Sequence, residues 1–463
     1  MSDVSDLVSA ARLAPVVVIG GGIAGLVTAY ECAKIGMPVT VLESRADLGG
    51  AIRTITVEGA RAEAGAVAFA PDGAVAELLT ALRADEPDLA LETVAGTRAG
   101  RLTTSPRGLV PLPDGVLGIP GSPFLAEVVS LIGWSGAWRA YLDRLRPPLT
   151  IGHERALGPL VRRRMGPKVV DRLVAPVTRG EIGLDPDAVD VELAAPRLNA
   201  ALTRQGSLSG AVSEILEADA EPERVTLQDG MSTLIAALAR RIVELDGEIV
   251  TGAEVMAIRR SGGRFVVDST VEADGREHAA AVVIVATDEG PARRLLAGHV
   301  EVPAAAVPQR LATVTATVTG GDAWQDGVYP RPGDSELVVI DDLTTQWGAG
   351  IDGARVVRAR LTVAADATEA EVARVVGAEI TRLLNTTVRA TQVEFFAGAP
   401  HREQLGFAAS AARMRAAVRA VPRLTAVGAW LTGAGLDATV TDAIQAAERV
   451  RREVLFGDAL PDA

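Results

Sequence analysis

A glycine turn close to the start of the chain limits its possible folds more than any other stretch. Residues 15–54 read PVVVIGGGIAGLVTAYECAKIGMPVTVLESRADLGGAIRT. Val16–Ile19 is a run of apolar β-branched residues of strand length. Gly20, Gly22 and Gly25 follow in the G-x-G-x-x-G spacing. The first permits a tight turn, the second lets a pyrophosphate approach the backbone, and the third lets helix pack closely on strand. Residues 23–35 predict a helix that Gly36 ends, and Val39–Leu42 a second strand closing on Glu43. Gly21, Ile23 and Ala24 would then present N–H groups and the positive end of the helix dipole to the phosphates. Glu43, followed by Ser44 and Arg45, stands where an acid accepts from a ribose hydroxyl. Strand, glycine turn, helix, strand and acid together predict a Rossmann-like dinucleotide site.

At 463 residues the chain exceeds one ordinary core, which predicts two or three domains. A formal charge of −13 argues against a general nucleic-acid binder and against an electrostatic anchor on anionic lipid, while allowing a local basic pocket. A single cysteine, Cys32, excludes internal disulfides and cysteine-based metal clusters and fits a reducing cytoplasm. The four histidines (His153, His278, His299, His401) show no ligand spacing and read as surface or structural. Asp3 and Asp6 stand where a secretory signal would be basic, so the first residues read as a short leader. No stretch reaches the ~20 apolar residues of a membrane helix.

Farther along, residues 72–83 predict a helix broken by Pro87, residues 91–110 short strands, and 109–123 a proline- and glycine-rich structured loop. A helical section from Phe124 to about Leu173 is interrupted at Pro147, Pro148, Pro159 and Pro167. Within it Trp134, Trp138 and Tyr141 share one helical face, predicting a core stripe against neighbouring helices over a membrane-touching surface. Residues 225–260 predict strand, turn at Gly230, helix, and a strand leading to Val255. Residues 280–290 predict a buried strand ending at a loop with Ala286 and Thr287. Residues 310–319, 336–340 and 355–363 alternate as sheet strands do, and the last 40 residues repeat strand, glycine turn, helix. The expected architecture is α/β (α+β), with a nucleotide domain from 1–80, 221–290 and 418–463, a mixed-sheet substrate domain from 81–114, 196–220 and 291–417, and a helical insertion over 115–195.

After Glu43, RADLGGAIRT resembles the extended signature of flavoproteins, in which Gly49, Gly50, Ala51 and Arg53 continue the pyrophosphate site towards the flavin. Four further segments, GLVPLPDGVLGIPGSP, the run from Arg155 to Leu198, PHREQLGF and GAWLTGAGLD, resemble the soluble bacterial porphyrinogen oxidases of the flavin amine oxidase superfamily. The resemblance implies non-covalent FAD, lined also by Gly65, Ala66, Val67 and Ala68 and by Gly428, Gly435, Leu436, Asp437 and Ala438. It implies six-electron oxidation of coproporphyrinogen III at the flavin, with O2 as acceptor and no catalytic side chain, in porphyrin biosynthesis in the cytoplasm, and a ferrochelatase as product acceptor. The chain departs from the family's G-x-G-I-P-D turn at Asp437 and Ala438, and has His401 in place of a usual glutamine.

Substrate propionates need cations. The helical run supplies Arg162, Arg163, Arg164, Lys168, Arg172 and Arg179, of which Arg179 and Lys168 are the pocket candidates, since three consecutive arginines point about 100° apart. Asp437, near the start of the last helix, is expected to cap that helix. Protoporphyrinogen is the alternative substrate. An amine oxidase would need a lysine near the flavin and an aromatic pair, and the two lysines, Lys34 and Lys168, and three tyrosines do not assemble either. A polyene desaturase lacks the proline loop, and a tetrapyrrole-binding flavoprotein without turnover would explain the altered last turn. The protein should purify yellow and release its flavin on acid precipitation; colour retained in the pellet would contradict non-covalent binding. Gly22→Val, which fills the pyrophosphate approach, should give colourless protein.

Overall fold

The computed structural model describes residues 4–86, 89–97, 100–146, 154–218, 223–303, 309–321 and 327–457. At its centre Val16–Ile19, buried throughout, pairs in parallel with Val39–Leu42 on one side and Val282–Val285 on the other. Glu248–Val250 and Leu424–Ala426 extend the sheet to five parallel strands. Such a sheet is covered on both faces. One face takes the helix Ile23–Ala33, buried along its whole length beneath Ser232–Glu244 and Leu436–Phe456. The other packs on a three-stranded antiparallel sheet, residues 253–280, through Ile258, Phe265 and Val267.

A second, mixed sheet of eight strands is built mainly from Arg101–Ser105, Arg310–Thr319, Val339–Asp342, Ala354–Val363 and Thr387–Ala397. The expected strand at 336–340 is thus displaced to Val339–Asp342. Asp342 ends it by accepting from the N–H groups of Thr344 and Thr345, which starts a short helix. Ala312, Val314, Ala316, Val357, Ala359 and Leu361 face the helix Glu369–Leu384. The alternate residues, with Thr313, Thr315, Arg358 and Arg360 among them, face the other way, towards the nucleotide fold.

The helical section has its own core, including Ile132, Leu157, Leu173 and Leu198. Two expectations fail here. Pro159 does not interrupt: it occupies the first turn of Leu157–Met165, where an N–H has no helical partner. Pro167 opens the next helix after Gly166 (φ 97°), while Pro147, Pro148 and His153 lie outside the described residues. The aromatic stripe is not core: Trp134 is 65% and Trp138 57% exposed, with Tyr141 exposed beside them. The helix Ala126–Tyr141 breaks at Gly133 (φ 72°, ψ 163°), and beyond the break its buried residues are Gly136, Ala137 and Ala140. Small residues let this helix approach its neighbours closely, which leaves the aromatics outside, packed on one another and on Phe124 at 5.2–6.4 Å between centroids.

The three consecutive arginines divide. Arg162 pairs at the surface with Asp187 (3.0 Å), and Arg163 is exposed. Arg164 is buried against the equally buried Asp143 (2.5 Å) and donates to the carbonyl of Gly206, while Asp143 also accepts from the N–H of Leu208. Removing one member of a buried pair strands the other charge. Asp143→Ala should therefore lower the unfolding free energy by about 3–5 kcal/mol in urea titrations, whereas Arg162→Ala should change it by less than about 1 kcal/mol.

Candidate functional site

The turn after the first strand is closed by backbone contact. A Cβ on Gly20 (φ 112°) would lie 2.6 Å from the Ala286 carbonyl oxygen, and one on Gly25 2.0 Å from that of Gly20. The space before Gly22 is open, its nearest neighbour being Gly50 Cα at 3.9 Å. The helix beyond has Gly22 as N-cap and no capping side chain, so the first-turn N–H groups of Ile23 and Ala24 face that space. Glu43 Oε2 accepts from the Gly21 N–H at 2.6 Å, and Oε1 from the N–H of Arg45 (2.9 Å) and the hydroxyl of Ser44 (3.3 Å). Lone pairs remain for a ribose hydroxyl. Gly49 (φ 111°) donates to the Gly21 carbonyl at 2.8 Å, and with Gly50 (φ 60°) closes the cradle. An open face opposite the middle glycine, helix N–H groups and an acid at the second strand's end fit a dinucleotide's pyrophosphate and ribose.

Val255 follows directly on this loop, because the Ala253 N–H donates to the Glu43 carbonyl (2.7 Å). Ala286 is tied to Ile19, and Thr287 leads to Asp288, whose pKa burial raises although Arg45 and Arg53 oppose the shift. Arg53 reaches the second sheet, where it pairs with Glu394 and lies 5.3 Å over the Phe396 ring. Gly65 is wedged against the Ala51 carbonyl: an added Cβ would lie 1.9 Å from that oxygen and 3.2 Å from the Phe396 ring. The half-buried stretch Gly65, Ala66, Val67, Ala68 is held from behind by Arg358, which donates to the carbonyls of Glu63 and Gly65 at 3.1 Å.

The C-terminal turn is set by Gly428, Gly433 and Gly435, all with positive φ. Gly433 packs on Arg402, where a Cβ would lie 2.5 Å from the backbone nitrogen. Leu436 and Ala438 lie in the first turn of Leu436–Phe456, whose N-cap, Gly435, offers no side chain, so this end keeps donors and positive dipole for an acceptor. Asp437 departs from expectation. It does not cap its own helix; Oδ2 accepts from the Ala70 N–H and Oδ1 from the Val75 N–H, both at 3.0 Å, so it caps the helix Ala74–Asp85 from another part of the chain. Gly73 at that helix's N-cap has no side chain, and a Cβ there would lie 2.3 Å from Asp437 Oδ1.

Neither cation picked from sequence carries an open charge into this space. Arg179 pairs with Asp185 at 2.6 Å, and Lys168, exposed, donates to the Ser135 hydroxyl at 2.9 Å. Lys34 is bound to Glu31 on the fingerprint helix. The second sheet supplies what the helical run does not. Arg358 and Arg360 stand two residues apart on one strand, with Asp341 on the neighbouring strand opposite Arg358. Asp341 is 2.9 Å from Arg358 and 3.8 Å from Arg360. Burial raises its pKa, but the two guanidiniums outweigh this and hold the carboxyl below its usual range. Tyr329 stands against Gly180, burial raising its phenol pKa, and His401 lies beside Gly183, with burial and then Arg360 depressing its pKa. Sequence reasoning missed Arg358 and Arg360. The available signal was the alternation V-R-A-R-L: two charges on one side of a strand whose other side is apolar.

The family described as flavin containing amine oxidoreductase matches residues 23–455. Coproporphyrinogen III oxidase of Mycobacterium bovis is 30% identical over 309 residues, 63% of this chain and 66% of the relative. That of Bacillus subtilis is 27% identical over 272 residues, 55% and 56%. The matched stretches therefore span roughly half to two thirds of these curated relatives' own length. A provisionally named protoporphyrinogen oxidase from Exiguobacterium sp. 255-15 shares the fold, with a TM-score of 0.81 over 95% of this chain and 99% of that one at 21% identity.

Asp437 generates a specific expectation. Asp437→Ala removes two charge-assisted bonds from the entry to Ala74–Asp85 and should cost about 1–2 kcal/mol in denaturant titrations. Because its carboxylate points away from the Gly435 helix end, the flavin midpoint potential should stay within experimental error of wild type; a marked rise would place the acid at the ring.

Proposed function

Since the chain belongs to the flavin containing amine oxidoreductase family, we propose that it is an FAD-dependent oxidase converting coproporphyrinogen III to coproporphyrin III. Six hydrogens leave the macrocycle in three two-electron steps, and three O2 become three H2O2. Bound FAD supplies the electron acceptor and passes electrons to oxygen. The chain's own part is to bind and place. Gly20–Gly25, Glu43 and Gly49–Gly50 hold the dinucleotide, and Leu436–Ala438 offer N–H groups to the flavin's polar edge. The stretch 65–68, which Arg358 ties to the sheet, and the sheet face around Arg360 would flank a flat substrate.

The observation that carries this reading is the sign of that sheet face. Arg358 and Arg360 share Asp341, and Arg53 is matched by Glu394, which leaves the sheet face net positive. A protonated amine would be repelled there, whereas a macrocycle bearing propionates would be drawn in. The names of the relatives favour coproporphyrinogen, and its four propionates keep it in water; protoporphyrinogen, with two, is the runner-up. Among the described residues no helix is long and apolar enough to cross a membrane. A ferrochelatase would be the product acceptor.

Porphyrins fluoresce and porphyrinogens do not, so the assay is direct. FAD-loaded protein should turn over coproporphyrinogen III aerobically with the higher kcat/KM of the two and release peroxide in a 3:1 ratio to porphyrin. A higher kcat/KM for protoporphyrinogen would change the substrate and keep the reaction. No turnover of either above the uncatalysed rate would leave a tetrapyrrole-binding flavoprotein.

A further inference from the structure

The two guanidiniums on this sheet face are not equivalent. The side chain of Arg358 is nearly enclosed, and its donors go to the carbonyls of Glu63 and Gly65 and to Asp341. Arg360 stands two residues farther along the strand, about 7 Å from it. One donor goes to the Gly180 carbonyl at 2.9 Å, and its Nε is 3.8 Å from Asp341, beyond hydrogen-bond reach. Among the described residues Asp341 is the one carboxylate within 4 Å of it, and Arg358 already occupies that acid. Yet 40% of the Arg360 side chain is open.

An arginine that shares its one nearby acid, is fixed on one edge and stays 40% open is placed to take a further anionic partner. Its surroundings are built to hold it still. The Gly180 carbonyl, in a π-type turn at Thr178–Ile182, fixes one edge of the fork, and the Tyr329 ring fills the place where a side chain on residue 180 would stand. A guanidinium fixed on one edge presents the rest of its planar fork to a carboxylate, for which it is suited bidentately.

Building on the reading above, we propose that Arg360 binds a carboxylate of the substrate, on this sheet face beside Gly180, and so sets the preference for a macrocycle carrying carboxylates. Arg358 is then a positioning residue: it holds the stretch 63–65 and engages Asp341, leaving Arg360's fork for the substrate.

The test compares wild type with Arg360→Met and Arg360→Lys, with FAD content confirming that each has folded. Equilibrium binding is read by fluorescence for coproporphyrin III and for its tetramethyl ester, which keeps the ring and removes the charge. Wild type should bind the acid at least tenfold more tightly than the ester. Arg360→Met should abolish that ratio, raise KM for coproporphyrinogen III tenfold or more and leave kcat within threefold; Arg360→Lys should restore part of the ratio. An acid-to-ester ratio in Arg360→Met equal to wild type overturns the proposal, whether or not the enzyme turns over. Failure of wild type to oxidise either porphyrinogen, with the ratio intact and lost in Arg360→Met, overturns the oxidase reading and leaves the binding assignment standing.

Discussion

The two halves of the molecule meet on one guanidinium. Arg358 rises from the middle of the eight-stranded sheet and ends on the carbonyls of Glu63 and Gly65, in the segment that leaves the nucleotide fold. The Glu63 carbonyl ends the short hairpin of residues 54–63 and the Gly65 carbonyl lies beyond it, and both take a donor from the second sheet. A lysine would give one point of charge where three acceptors need a fork. Asp341 makes the arrangement tolerable by balancing the charge, and Val356 of the same strand packs with Ile55 and Ala64 in one apolar cluster. The position of residues 63–65 relative to the sheet follows from this contact.

What could be read from the sequence was what is local. The fingerprint, the acid at the second strand and the glycine-terminated helices depend on residues a few positions apart, and the parallel sheet follows from them. What could not be read was decided by neighbours far along the chain. Asp437 looked like a cap for its own helix because it sits in the first turn; it caps another helix 362 residues earlier, since Gly73 leaves room and has nothing to offer. Trp134 and Trp138 have core spacing, but Gly136 and Ala140 opposite them make the closer interface, and closeness won over apolar area. Arg162–Arg164 look equivalent in sequence and differ because only Arg164 finds a buried Asp143.

The charge distribution has the same origin. A chain with 59 acids and 46 basic residues repels anions at a distance. Its cationic wall works only at short range, inside the fold, where water is scarce and a single unmatched guanidinium outweighs many screened surface carboxylates.

The order in which the parallel sheet is threaded also governs how the chain can reach this state. The central strand's neighbours come from residues 39–42 and 282–285, the sheet's far edge from 424–426, and a cover for Ile23–Ala33 from the final helix, Leu436–Phe456. All 11 residues of Ile23–Ala33 are buried in the finished fold. During synthesis that apolar helix stays partly uncovered until Leu436–Phe456 has been made. The nucleotide fold closes only when strands and a helix from far along the chain have joined it. Its folding is dominated by contacts of very large sequence separation, the regime in which chains fold slowly and expose sticky surface longest.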